Sequence, residues 1–302
     1  MKNLISVIVT IYNREKFLDE CLTSIKNQTF TNYEVLMVDD GSTDDSSNIA
    51  KAYATIDKRF KYIPTEHIGF PAAKNLGLEK ATGKYIIFLD SDDSAYPCWL
   101  ELLYNAAEMT GSDISTCYYD EYLYDETKDN KKEEPPTTFY KEKGLFFAEY
   151  EYFKMNLIYN KLCSSYLWNK LIRKELYEDI RFKDQIAISD ISEIYKIVDK
   201  ANKVIQVQVP LVHYRRHQDS MGIESAKSGV DYFKFRADVL EQSASFVWEH
   251  YPQSRFVTQL TLSQELKRIL KEVGPENFKK YIDREFFRKV FSEKPDKYLF
   301  KN

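Results

Sequence analysis

Apolar and polar positions fall into blocks along the first ninety residues, and the blocks switch between two periods. Leu4–Thr10, Tyr33–Val38 and Tyr85–Leu89 are short continuous apolar runs, the pattern of strands buried on both faces. Phe60–Pro64 is a shorter strand of the same kind. Between the first two, Phe17, Leu18, Cys21, Leu22 and Ile25 recur at helical spacing, which predicts an amphipathic helix over Lys16–Gln28. Further helices are predicted over Asp44–Thr55, with Ser42 or Thr43 as cap, and over Ala72–Ala81, with Pro71 at its start. Strands alternating with single helices in this way are the signature of a doubly wound parallel sheet. Right-handed crossovers then bring the ends of the first, second and fourth strands to one rim.

Beyond this, Pro97–Met109 reads as a helix and Ile114–Tyr119 as a strand. Asp120–Lys143 is charged and contains Pro135-Pro136, so a hairpin or loop is expected there, with the domain's changeover. Leu145–Asn156, Cys163–Leu176 and Asp190–Ala201 read as helices, Lys203–Val207 and Leu211–Tyr214 as short strands. From Ser228 to Phe291 the pattern is helical, broken at Pro252 and Gly274-Pro275. The expected organisation is one domain over 1–224, in halves of about 1–120 and 121–224, followed by a helical region over 225–302.

The chemistry gathers where the Tyr85–Leu89 run stops. Asp90-Ser91-Asp92-Asp93 sets three carboxylates within four residues, and like charges so close disfavour one another unless a cation sits among them. Oxygen-only ligands suit Mg²⁺ or Mn²⁺, and Mg²⁺ commonly completes its shell with phosphates. In open α/β sheets, ligands bind beyond the carboxyl ends of the strands. The plainer alternative is an acidic turn.

Composition changes this picture little. The 302 residues carry a net charge of -4, which argues against a nucleic-acid partner. Cys21, Cys98, Cys117 and Cys163 lack any C-x-x-C spacing, as expected of free thiols in a reducing cytosol. The apolar start runs into Asn13-Arg14-Glu15-Lys16 with no small-residue cleavage site, so it reads as a strand and not as a leader. No apolar run approaches the ~18–20 residues of a spanning helix, and a cytoplasmic location is expected. Aromatics make up 15% of the chain and suit either sugar stacking or plain packing.

These blocks resemble the family 2 glycosyltransferases with a GT-A fold. Ser6–Asn13, Gln28-Thr29-Phe30, Val38–Asp44, Ala72–Gly77 and Ala81–Ile86 follow in the family's order up to the D-x-D strand. Trp168–Arg173, Ile180-Arg181-Phe182, Asp190 and Tyr214–Ser220 are similar to the later half of bacterial capsule and cell-wall polysaccharide transferases. The resemblance implies an α/β fold of the Rossmann-like GT-A type, a mostly parallel sheet flanked by helices, with a helical C-terminal extension.

It also implies an inverting, metal-dependent transfer of a hexose or N-acetylhexosamine from a UDP-sugar to a glycan or lipid-linked acceptor. Thr10, Tyr12 and Asp40 would hold the base, and Asp39 would fix its turn. Lys74 stands where the family carries Arg and would offer a point charge to phosphate. Asp90 would reach the ribose, with Ser91 beside it. Asp92 would bind Mn²⁺ or Mg²⁺, joined by His217 or His213, and Asp93 would lie near the donor sugar. Arg215, Arg216, His217 and Ser220 belong to a segment that would close over the diphosphate, with Arg216 and Ser220 contacting it; a surface turn is the alternative. Asp190 would be the general base, or simply a helix cap, with Asp184 as fallback. Ser189 replaces the first acid of the family's pair, and His67 replaces a more usual Asn, so no role follows for it.

Three rivals are weighed against this. A phosphoacceptor domain would be shorter and would leave the D-x-D unexplained. A nucleotidyltransferase wants a Gly-rich loop after its first strand, which Tyr12-Asn13-Arg14-Glu15 is not. A non-catalytic relative that binds nucleotide-sugar as a partner subunit is motivated by Ser189. The basic, aromatic Phe286–Phe291 stretch suggests a peripheral membrane contact at the inner face or a homo-oligomer interface, or simply a cover for its own domain.

Overall fold

The computed structural model describes residues 5–124, 166–183, 189–217, 230–252 and 255–291. The predicted helices over Leu145–Asn156 and the first part of Cys163–Leu176 fall outside these residues, as do Cys163, Asp184 and Ser220. The described residues group into two compact units. The first holds 5–124, 166–183 and 196–217; the second holds 189–195 together with the residues from 230 onward.

In the first unit, β1 (Ile5–Ile11), β2 (Tyr33–Asp39), β3 (Phe60–Pro64) and β4 (Tyr85–Phe88) are parallel, joined by α1 (Glu15–Lys26), α2 (Ser46–Ile56) and α3 (Phe70–Lys80). The apolar runs are continuous because both sheet faces are covered. Ile5, Val7, Val9 and Ile11 join Leu18, Cys21, Leu22 and Ile25 of α1 in one core. The intervening Ile8 meets α3, where a Cβ on Gly77 would come within 2.5 Å of its Cγ2. α2 begins at Ser46 with no side-chain cap, so neither Ser42 nor Thr43 does the predicted work. Both serve the neighbouring loop instead.

The eight-stranded sheet has the order β3-β2-β1-β4-β7-β6-β8-β5, with β5 (Ser94–Ala95), β6 (Ile114–Leu123), β7 (Lys170–Arg173) and β8 (Val204–Arg216) completing it. α4 (Trp99–Thr110) covers this half. Two expectations are corrected here. Lys170–Arg173 is a strand, not the end of a helix, because it fills the gap between β4 and β6, antiparallel to both. The two predicted strands around residue 210 are one, β8, whose register against β6 slips between Cys117 and Tyr119. Pro210 lies at this slip, where a missing N–H costs the ladder least. Among the described residues, Tyr119, Tyr166 and Tyr214 surround the buried Trp168 and so pack.

The second unit contains the start of α5 (Ser189–Lys200), then α6 (Val230–His250), α7 (Arg255–Tyr281, broken at Gly274) and α8 (Arg284–Phe291). Ala237, Ala244, Leu262, Leu266, Ile269, Phe286 and Val290 form its core. Among the described residues, no helix is long and apolar enough to cross a membrane.

Candidate active site

β4 runs directly into the acidic loop. Leu89 N–H still bonds to the Ile8 carbonyl at 3.1 Å, and Asp93 N–H turns back to the Asp90 carbonyl at 3.0 Å. β5 follows at once and pairs with β8, Ser94 opposite His213, which pins the loop at its far end. Ligand atoms of Asp90, Asp92 and Asp93 all lie within 4.8 Å of one another, and Ser91 is buried between them.

The end of β8 folds over this triad. Arg215 N–H donates to Asp93 Oδ1 at 2.8 Å and its Nε to the Asp92 carbonyl at 2.7 Å. Its guanidinium pairs with Glu20 and lies over the Phe17, Tyr122 and Tyr124 rings. His217 Nε2 is 3.0 Å from Asp92 Oδ2, and Arg14 Nε is 3.4 Å from the same oxygen. Burial opposes ionisation of Asp92, but the His217 hydrogen bond and the Arg14 charge hold its pKa below the usual carboxylate value. Asp93 goes the other way. Burial, then the charges of Asp92 and Asp90, push its pKa well up. Its Oδ2 has no hydrogen-bond partner among the described residues. An orphaned, fully buried carboxylate oxygen beside two further carboxylates fits a hard divalent cation.

The neighbouring strands supply a second patch on the same rim. Thr10 is buried in β1, while Tyr12 just beyond it is 40% exposed. The Tyr12 ring stacks on His67, centroids 4.3 Å apart and 23° from parallel. Asp40 orders the loop that carries His67. Its carboxylate accepts from Ile68 N–H (2.6 Å), Gly69 N–H (3.0 Å) and Thr65 Oγ1 (3.2 Å), and lies 3.1 Å from His67 Nδ1. Asp39 fixes the preceding turn through Ser42 N–H, Ser47 and Tyr62, and Gly41 at φ 73° completes it. Asn13, Ser42, Thr43, Asp44 and Glu15 then cross-link the loops after β1 and β2.

Other expected residues sit elsewhere. Lys74 is 2% exposed, its Nζ 4.3 Å from the centre of the Phe70 ring and 5.4 Å from that of Phe182. Arg216 is half exposed and paired with Glu121 at 2.9 Å. His213 lies against Tyr96 and Asp120, outside the carboxylate group. Asp190 is on the first turn of α5 and groups with the helical unit. Arg14 and His67 carried no role in the sequence reading. The sequence signal for Arg14 was its place just after the first strand, on the rim where that strand ends.

The family model described as "Glycosyl transferase family 2" matches residues 6–181. Glycosyltransferase GlyG of Streptococcus pneumoniae serotype 4 is 33% identical over 231 residues, 73% of this chain and 73% of that protein. Among solved structures, S. aureus TarS 1-349 in complex with UDP-GlcNAc superposes with a TM-score of 0.60 at 19% identity, covering 92% of this chain and 84% of TarS. The mannosyltransferase PcManGT from Pyrobaculum calidifontis, in complex with GDP-Man and Mn²⁺, gives 0.56 at 15% identity over 88% of this chain and 76% of its own. These likenesses show the GT-A fold.

Proposed function

The chain belongs to glycosyl transferase family 2, and from that premise we propose that it moves a sugar from a UDP-linked donor to a hydroxyl of a glycan or lipid-linked acceptor, with inversion at the anomeric carbon. One observation carries this reading: the carboxylate triad and the exposed Tyr12 share one rim of the sheet, linked by Arg14, which reaches both Asp92 and the Tyr12 carbonyl. An aromatic face beside a braced carboxylate suits a nucleobase, and the triad would suit a divalent cation that balances the charge of a diphosphate.

Asp92, flanked by Asp90 and Asp93, would hold Mn²⁺ or Mg²⁺, which supplies neutralisation of charge on the leaving diphosphate. Asp40 keeps the His67 loop against Tyr12. His217 and Arg215 fix Asp92 and Asp93 in place. Asp190, on the first turn of α5, takes the proton of the incoming hydroxyl. Ser189 favours a second reading, a nucleotide-sugar-binding partner subunit of little activity. The location proposed is the cytoplasm, at the membrane's inner face if the acceptor is lipid-linked.

A panel of nucleotide sugars, assayed with and without acceptor glycans, tests the reading. Asp190→Asn is expected to lower kcat by about 10²–10⁴-fold with little change in donor KM. UDP binding by the parent with no turnover across the panel would instead support the subunit reading.

A further inference from the structure

We propose that Arg14 is the residue that grips the donor's diphosphate in this chain, in place of the cation at position 74; this rests on the nucleotide-sugar reading above. Two independent placements lead to it. Lys74 lies on the inner stripe of α3 with Ala73, Gly77 and Leu78, and its ammonium is enclosed by Phe70, Phe88 and Phe182. A charge so placed is buried among rings, 2% exposed, where Arg14 is not.

Arg14 occupies the ground between the two ends of a bound nucleotide. Its Nη1 donates to the carbonyls of Tyr12 at 3.3 Å and Asn13 at 3.0 Å, on the base side. Its Nε faces Asp92 at 3.4 Å, on the metal side. No hydrogen bond within the described residues uses Nη2, so two donors of the planar fork remain for a ligand. The residue itself is fixed: Arg14 N–H donates to Ser46 Oγ at 2.8 Å, and its carbonyl accepts from Phe17 and Leu18 at the start of α1. On this rigid root the parallel Nε–H and Nη2–H donors match phosphate oxygens bidentately once Nε leaves Asp92, which an ammonium cannot do. The 3.4 Å contact with Asp92 is longer than a strong charge-assisted bond, so the guanidinium can yield this carboxylate to a cation and turn to the phosphates.

Calorimetric titration of the full chain with UDP, UMP and uridine in Mg²⁺ buffer tests this, alongside Arg14→Ala, Arg14→Lys and Lys74→Met. Arg14→Ala is expected to weaken UDP about 10- to 100-fold and leave uridine within about twofold. Arg14→Lys should fall between parent and Ala, and Lys74→Met should leave UDP within about threefold. Unchanged UDP affinity in Arg14→Ala, or equal loss for UDP and uridine, would overturn the assignment while leaving the nucleotide site standing. A UDP-selective loss confined to Lys74→Met would do the same. Absence of UDP and uridine binding by the parent would overturn the underlying reading as well.

Discussion

Glu34 is almost fully buried on β2, yet it is ionised. It accepts hydrogen bonds from Ser6 Oγ, from Thr82 N–H and Oγ1, and from the Lys61 ammonium. Burial alone would raise its pKa; the bonds from Lys61, Ser6 and Thr82 outweigh it and bring it from 4.5 to about 2. A carboxylate depressed in the folded state contributes stability that is complete above 4.5 and fades as pH falls toward 2, because the unfolded chain binds the proton first. Glu34→Gln is expected to cost about 1–3 kcal/mol at pH 7, and urea denaturation should show its gap from the parent closing between pH 4.5 and pH 2. At this scale the sequence is unevenly legible. Asp90-Ser91-Asp92-Asp93 was visible because a continuous apolar run ends in it. The burial of Lys74 was also visible in principle, since it is four residues before Leu78 on the same helical stripe. The meeting of Arg14 with Asp92 was not, because it depends on two loops 78 residues apart folding onto each other.

Among the elements, α3 depends on an absence of side chain. Gly77 lets its backbone lie against β1, and a Cβ there would meet the stiff, β-branched Ile8 at 2.5 Å. Alanine would gain up to about 1 kcal/mol in helix propensity but lose about 1–3 kcal/mol to overpacking, so Gly77→Ala should destabilise. Ile8→Ala in the same chain removes the clashing methyl, and thermal melts of the double variant should show less loss than the two single losses summed. The helices of residues 5–110 were legible from their apolar spacing, and the parallel strands as continuous apolar runs. β7 was not. Four residues show no period, and only the ladder partners β4 and β6 make Lys170–Arg173 a strand. The slip at Pro210 hid the continuity of β8 in the same way, since a proline in a run reads as its end.

At the scale of the molecule, the helical breaks at Pro252 and Gly274 were legible, and the fate of the amphipathic last helix was not. Phe286 and Val290 of α8 are buried in the core of the helical unit, so much of the face that suggested a membrane is committed to packing. The sheet of the first unit could not be divided by sequence at residue 120, because its order interleaves strands from both sides of that point. A fragment ending at residue 124 is therefore expected to aggregate on expression, whereas residues 1–217 should remain soluble and bind UDP; sedimentation and titration of the two would check this. The wedge-like place of β7 also sets an order of events during synthesis. β4 and β6 leave the ribosome with a missing neighbour, and about 50 residues, or several seconds of translation, pass before Lys170–Arg173 emerges to join them. Through that interval one edge of β4 and both edges of β6 stand open, which makes the nascent chain a client for chaperones until its keystone strand arrives.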